Sequence, residues 1–150
     1  MDTMLEISEC YPAAAASVPL ARQALTHLAS RAGASEEQVE AVRLASSEAL
    51  TNVVQHAYGE GEGSIHVASA VTNDELWVLI ADDGNGLRAP TRNRGLGLGL
   101  ALIACVTDTF SLLKRSSGGT EMQMRFGLKS RQAPRAGQRR GSVSSAQAAA

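Results

Sequence analysis

Residues 48–58 run Glu48-Ala49-Leu50-Thr51-Asn52-Val53-Val54-Gln55-His56-Ala57-Tyr58. Glu48, Asn52 and His56 recur every fourth residue, so on a helix they share one face. Val39, Val42, Ala49, Val53 and Ala57 lie elsewhere around that helix and can be buried. A carboxylate and a carboxamide one turn apart can act together. The carboxamide oxygen is a hard ligand suited to Mg²⁺, and the carboxylate can orient or deprotonate a hydroxyl. The same residues also suit a solvated polar stripe on an ordinary amphipathic helix, and the stretch alone does not choose between the two.

Working outward, Ser35-Glu36-Glu37-Gln38 has the form of a capping box and predicts the start of this central helix. Gly59 predicts its stop. Upstream, residues 4–10 alternate weakly as a first strand, which Tyr11-Pro12 is expected to break. Ser17 is placed to cap a helix beginning near Pro19. Val18, Ala21, Leu25 and Leu28 form that helix's apolar face, with Arg22 and His27 off it, and Gly33 ends it. Downstream, Ile65, Val67, Ser69 and Val71 alternate, as do Leu76, Val78 and Ile80, with a turn at Asn73-Asp74. Trp77, Leu79 and Ala81 point the other way, so both faces of that strand are candidates for cover. A helix over Leu98 to Thr107, a strand over Thr109 to Arg115 and a last strand through Met122, Met124 and Phe126 complete the order β-α-α-β-β-loop-α-β-β. Paired glycines in Ser117-Gly118-Gly119-Thr120 suit a tight turn between the last two strands. Adjacent strands with tight turns imply an α/β (α+β) sandwich, a mixed, largely antiparallel sheet with helices on one face.

Length and composition set limits on function. At 150 residues the chain is long enough for one domain with a sizeable core. With 44% hydrophobic but only 3% aromatic residues, that core must be aliphatic. No apolar run reaches the length of a membrane span. A basic n-region and an apolar h-region are missing at the start, which argues against a signal peptide. Cys10 and Cys105 lack metal-ligand spacing, and Cys105 falls in an apolar helical pattern where it is expected to pack as a small hydrophobe. A reducing cytoplasm is the expected setting. The net charge of −1 hides an asymmetry: five of the fourteen basic residues lie from Lys129 onward, where there is no acid. Nine basic residues therefore face fifteen acidic ones in residues 1–128, about −6. A net acidic domain argues against direct nucleic-acid binding. The organisation expected is a domain over 1–128 and a disordered basic tail over 129–150.

Two further stretches carry chemistry. Ile80-Ala81-Asp82-Asp83-Gly84-Asn85-Gly86-Leu87 follows a hydrophobic strand, where a carboxylate can accept a hydrogen bond from an amino group and glycines let backbone approach a ligand. A turn between strand and loop is the plain alternative. Arg94-Gly95-Leu96-Gly97-Leu98-Gly99-Leu100 opens a helix whose free N–H groups suit phosphates. It is neither a Walker loop nor a dinucleotide fingerprint.

In this order, the helix and these two stretches resemble the N, G1 and G2 boxes of the GHKL (Bergerat-fold) ATPases. The likeness is greatest to the bacterial anti-sigma-factor serine/threonine kinases and covers roughly residues 5 to 128. It implies ATP and Mg²⁺ as cofactors. Glu48 would be the catalytic base or hydroxyl-orienting group, and Asn52 would hold Mg²⁺. Asp82 would read adenine over a floor shaped by Gly84 and Gly86, with Asp83 a solvated neighbour. Arg94, Gly95, Leu96, Gly97, Leu98 and Gly99 would hold the triphosphate. Thr120 would lie near the adenine, and His56 would be structural.

Within that superfamily the residues exclude some members. His27, His56 and His66 are followed by Leu28, Ala57 and Val67, not by the acidic residue that follows a phosphoacceptor histidine. A transducer domain of the gyrase or chaperone kind has no room. What the resemblance implies is a kinase that phosphorylates a small anti-sigma-factor antagonist and sequesters a sigma factor, with a homodimer as a possible state. One departure stands out. Only eight residues, Leu87 to Arg94, separate Gly86 from Gly95, fewer than the ATP lids of the resembling families. A short lid that closes poorly favours the alternative, an ATP-gated protein-binding module with little or no kinase activity. Arg88, Arg92 and Arg94 are placed to face phosphate and partly compensate.

Overall fold

The computed structural model describes residues 5–59, 61–84 and 94–128. The elements are β1 (Glu6–Pro12), α1 (Ser17–Arg31), α2 (Glu36–His56), β2 (Ser64–Thr72), β3 (Glu75–Asp82), α3 (Arg94–Val106), β4 (Thr109–Lys114) and β5 (Thr120–Gly127). The expected order is therefore found element for element. The five strands form one antiparallel sheet in the order β1-β2-β3-β5-β4.

Period-two alternation sets which face is buried. Ile65 and Val67 of β2, Leu76, Val78 and Ile80 of β3, and Met122, Met124 and Phe126 of β5 all point toward the helices. The register matches them in rows: Val67 lies opposite Ile80, and Ile80 opposite Met122. Against this face pack Ala21, Leu25 and Leu28 of α1, Val42, Ala45, Ala49, Leu50 and Val53 of α2, and Ile103 of α3. The core is aliphatic, as the composition requires. Burying each large aliphatic side chain contributes about 1.5–3 kcal/mol.

The central helix begins as its sequence dictates. Ser35 Oγ accepts from the Gln38 backbone N–H, and Gln38 Oε1 accepts from the Ser35 N–H at 2.8 Å. Gln38 also donates from Nε2 to the Gly127 carbonyl, tying the start of α2 to the end of β5. Gly59, at φ 58°, follows the end of the helix.

Four expectations need correction. The first strand is not broken at Tyr11-Pro12 but runs through both. Strand β1 lies at the sheet edge, where the missing proline N–H interrupts no central ladder. Ser17 is not a cap but the buried first residue of α1, and Ala16, with no side-chain cap, precedes it. Cys105 is exposed. Two positions from the buried Ile103, it stands about 200° around the helix, on the opposite side. Finally, the outer face of β3 is covered only in part: Ala81 is buried and Leu79 half-buried, but Trp77 is 40% exposed, with the Arg125 guanidinium 5.5 Å from its ring centre. The expected tail over 129–150 lies outside the described residues.

Candidate functional site

Strand β3 places its last residue by simple alternation. Leu76, Val78 and Ile80 face the helices, and Asp82 takes the next position in the series, opposite Ile65. A carboxylate thus occupies a site where the strand pattern calls for an apolar side chain, and it is 4% exposed. Burial pushes its carboxyl above the usual carboxylate range, because the charged form loses water. Two backbone donors oppose that effect. Gly84 N–H donates to Oδ1 at 3.0 Å, and the Thr120 N–H donates from the start of β5.

Close backbone approaches shape this end of the sheet. A methyl group at Gly84 would collide with the Ala57 carbonyl at the end of α2. One at Gly119 would collide with the Asp82 carbonyl, and Gly119 also sits at φ 81°. The glycines therefore let α2, the end of β3 and the β4–β5 hairpin converge. Between them lies a small cleft, partly open to solvent. Ala49, Val53, Ile80, Leu112 and Met122 supply apolar walls, while Asn52, Asp82 and Thr120 supply the polar groups. An apolar cleft with a few polar groups, among them a carboxylate and a hydroxyl, suits a largely apolar ligand with hydrogen-bonding groups at its edge.

The α2 face supplies the rest. Helix α3 packs against α2 so that a methyl group at Gly99 would stand 2.9 Å from Glu48 Oε2 and 3.7 Å from Asn52 Oδ1. Glu48 and Asn52 therefore meet α3 at Gly99, one turn beyond the helix start, whose first four N–H groups have no helical carbonyl to donate to. Asn52 Nδ2 is buried and has no hydrogen-bond partner among the described residues. Leaving such a donor unmet is costly, and a ligand oxygen would satisfy it.

Much of the predicted site is brought together: Asn52, Asp82 and Thr120 line the cleft, Gly84 bonds Asp82, and Gly99 lies against Glu48 and Asn52. Leu98 is 78% exposed and points away. Gly86 lies outside the described residues, as do Arg88, Arg92 and the rest of the short connection up to Asn93. Arg94, Gly95, Leu96 and Gly97 form the start of α3, with only their backbone described. Asp83 is exposed, as expected of a solvated neighbour, but it is also paired. Its carboxylate takes Arg115 Nη1 at 2.8 Å on one oxygen and His66 Nε2 at 2.7 Å on the other. His66, through this hydrogen bond, and Arg115 hold it below the usual carboxylate range. Sequence reasoning passed over Arg115, His66 and Tyr58. Tyr58 Oη donates to the Ser64 carbonyl at 2.6 Å and accepts from the Asp83 N–H at 2.8 Å. A large polar aromatic directly before the helix-ending Gly59 was the one available signal.

A β-α-α-β-β-α-β-β sandwich with this cleft between α2, β3 and the last hairpin defines a nucleotide-binding ATPase class. The profile of the histidine kinase-like ATPase domain matches residues 11–126, and the chain belongs to that family. Among curated proteins it is similar to the serine-protein kinase RsbW of Staphylococcus aureus (strain MSSA476), 32% identical over 85% of this chain and 90% of that protein. It is likewise similar to RsbW of Bacillus cereus (strain AH187), 31% identical over 75% and 80% of the two chains. The likeness to RsbW of Listeria monocytogenes serotype 4a (strain HCC23) is 41% over 57% of this chain. The matched region spans about half, 55%, of the Listeria relative's length.

Proposed function

We propose that the chain is an ATP-dependent protein serine/threonine kinase acting as an anti-sigma factor. In this reading it phosphorylates a small anti-sigma-factor antagonist and sequesters a sigma factor. The observation that carries it is the pairing of Glu48 and Asn52 on one face of α2, against Gly99 of α3 and beside a cleft floored by the buried Asp82. The printed names of the relatives, serine-protein kinase RsbW, support the same activity.

The residues fit a nucleotide and Mg²⁺. Asp82 and Thr120 would hold the base, the backbone at the start of α3 the phosphates, and the Asn52 carboxamide oxygen the metal. Bound ATP supplies the phosphoryl group. Glu48 orients the acceptor hydroxyl of the partner protein and takes its proton on a carboxylate oxygen. Asn52 fixes the geometry, and positioning with charge neutralisation is most of what phosphoryl transfer requires. Among the described residues no helix is long and apolar enough to cross a membrane. A cytoplasmic setting, protein partners rather than nucleic acid, and a homodimeric state complete the proposal, together with a domain over 1–128 and a separate basic tail.

A second reading is an ATP-gated protein-binding module with little or no kinase activity. The eight-residue connection from Leu87 to Arg94 favours it. One experiment separates the two. Purified protein is incubated with γ-labelled ATP, Mg²⁺ and lysate of the source organism, beside Glu48→Ala. An acid-stable labelled band present only with the wild type supports the kinase and isolates its antagonist. An acid-labile band overturns the serine/threonine assignment. ATP binding with no band, and partner capture that survives Glu48→Ala, moves the assignment to the binding module.

A further inference from the structure

Outside the lining of the cleft, four chain segments meet at Asp83. Asp83 Oδ1 accepts from Arg115 Nη1 at 2.8 Å, and Asp83 Oδ2 lies 2.7 Å from His66 Nε2. The Asp83 N–H donates to Tyr58 Oη at the end of α2. The same Arg115 Nη1 that binds Asp83 also donates to the Asp82 carbonyl at 3.3 Å. Arg115 begins the turn of the last hairpin, where its N–H donates to the Gly119 carbonyl and its own carbonyl accepts from the Gly118 N–H. One guanidinium nitrogen therefore joins the tip that carries Thr120 to the strand end that carries Asp82.

That junction determines how the two base-facing groups stand to each other. Asp82 is held from the hairpin side by the Thr120 N–H, and Gly119 lies directly over the Asp82 carbonyl. A shift of the hairpin by a fraction of an ångström would move Thr120 and the Asp82 carboxylate apart. Placement errors of about 1 Å at a polar contact are costly. Asp83 and Arg115 do not line the cleft, so the role argued for them is one of positioning.

We propose that Asp83 and Arg115 form a positioning pair for base recognition, locking the β4–β5 hairpin to the end of β3 so that Asp82 and Thr120 discriminate adenine. The proposal rests on the reading of Asp82 as the base-recognising residue. It makes specificity for the exocyclic amino group, more than general affinity for a triphosphate, depend on a pair outside the cleft. A Lys at position 115 retains a charged nitrogen with several donors and serves both acceptors, whereas Met does not.

The test is isothermal titration of the full chain with ATP and with inosine triphosphate, which lacks the amino group. Wild type, Asp83→Asn, Arg115→Met, Arg115→Lys and Asp82→Asn are compared. We expect Asp83→Asn and Arg115→Met each to weaken ATP binding about tenfold while changing inosine triphosphate binding less than threefold, with Arg115→Lys close to wild type. The double variant Asp83→Asn/Arg115→Met should resemble either single one, since both break one link. The proposal is overturned if both single variants keep the wild-type preference for ATP while Asp82→Asn loses it, a result that leaves the cleft assignment standing. It is also overturned if both nucleotides weaken equally, which marks a scaffold role. If Asp82→Asn itself keeps the preference, the assignment of Asp82 fails and takes the proposal with it. Should Arg115→Met not fold, the exposed and isosteric Asp83→Asn decides alone.

Discussion

Asp82 is where burial and function conflict. Its raised carboxyl pKa gives the free fold a preference for the protonated form, so this group's contribution to stability falls as pH rises from its ordinary value of 3.8 through the raised value. In its proposed role ligand binding has the opposite sign, because the ionised carboxylate is the stronger acceptor for an amino group. ATP affinity should therefore begin to fall above the usual carboxylate range as pH is lowered, by up to about tenfold per pH unit below the folded pKa. Asp82→Asn should bind weakly and lose this dependence; titrations from pH 7.5 to 4.5 read it directly. Gly99 offers a second residue-scale test. Alanine suits a helix better than glycine by about 1 kcal/mol, yet its methyl would press on Glu48 Oε2. Gly99→Ala should therefore keep or raise the melting temperature while lowering phosphotransfer at least tenfold, with ATP binding changed much less. A parallel loss of folding and transfer would contradict the placement of Glu48 against α3.

At the scale of elements, α2 is the part on which the others depend, and its start is the most economical place to perturb it. Ser35→Ala removes the cap and should cost about 1 kcal/mol of stability, measurable by urea unfolding. Gln38→Ala should cost more than a cap alone, because Gln38 also holds the Gly127 carbonyl. The elements were also what the sequence disclosed best. Alternating Leu76, Val78 and Ile80, the capping box at Ser35 and the paired glycines at 118–119 are local signals, each decided by residues a few positions apart. Carrying the alternation one step further, to Asp82, would have shown its carboxylate pointing into the core. The Asp83–Arg115–His66 cluster was not legible, since its members are 17 and 32 positions from Asp83 and only the sheet register brings them together. Cys105 misled for a related reason. A helix such as α3, apolar from Gly95 onward, does not disclose which stripe faces inward, and contact with α2 decides it.

For the molecule as a whole, ligand binding and folding are linked. ATP with Mg²⁺ at about one hundred times its dissociation constant should stabilise the fold by about 2.7 kcal/mol. For a domain of this size that corresponds to about 8 °C in melting temperature. The shift should be absent in Asp82→Asn, and thermal scans at several nucleotide concentrations check it. Leu25, fully buried between α1 and its neighbours, tests the core independently. Leu25→Ala should cost about 2–5 kcal/mol, with the ATP-induced shift retained in whatever fraction still folds.

The strand order has a consequence for how the protein is made. The last of the described strands, β5, is not at the edge but lies between β3 and β4. It lends Met122, Met124 and Phe126 to the core and Thr120 to the cleft. A ribosome releasing the chain from its N-terminus delivers β1, α1, α2, β2 and β3 while the position beside β3 is still empty. At about 5–20 residues per second, several seconds pass between the emergence of β3 and that of β5. Throughout that interval the nascent chain presents an open strand edge and has no complete nucleotide cleft. A complete cleft therefore arises only once β5 has emerged, and a chain that stops short of Gly127 leaves both sheet and site unfinished.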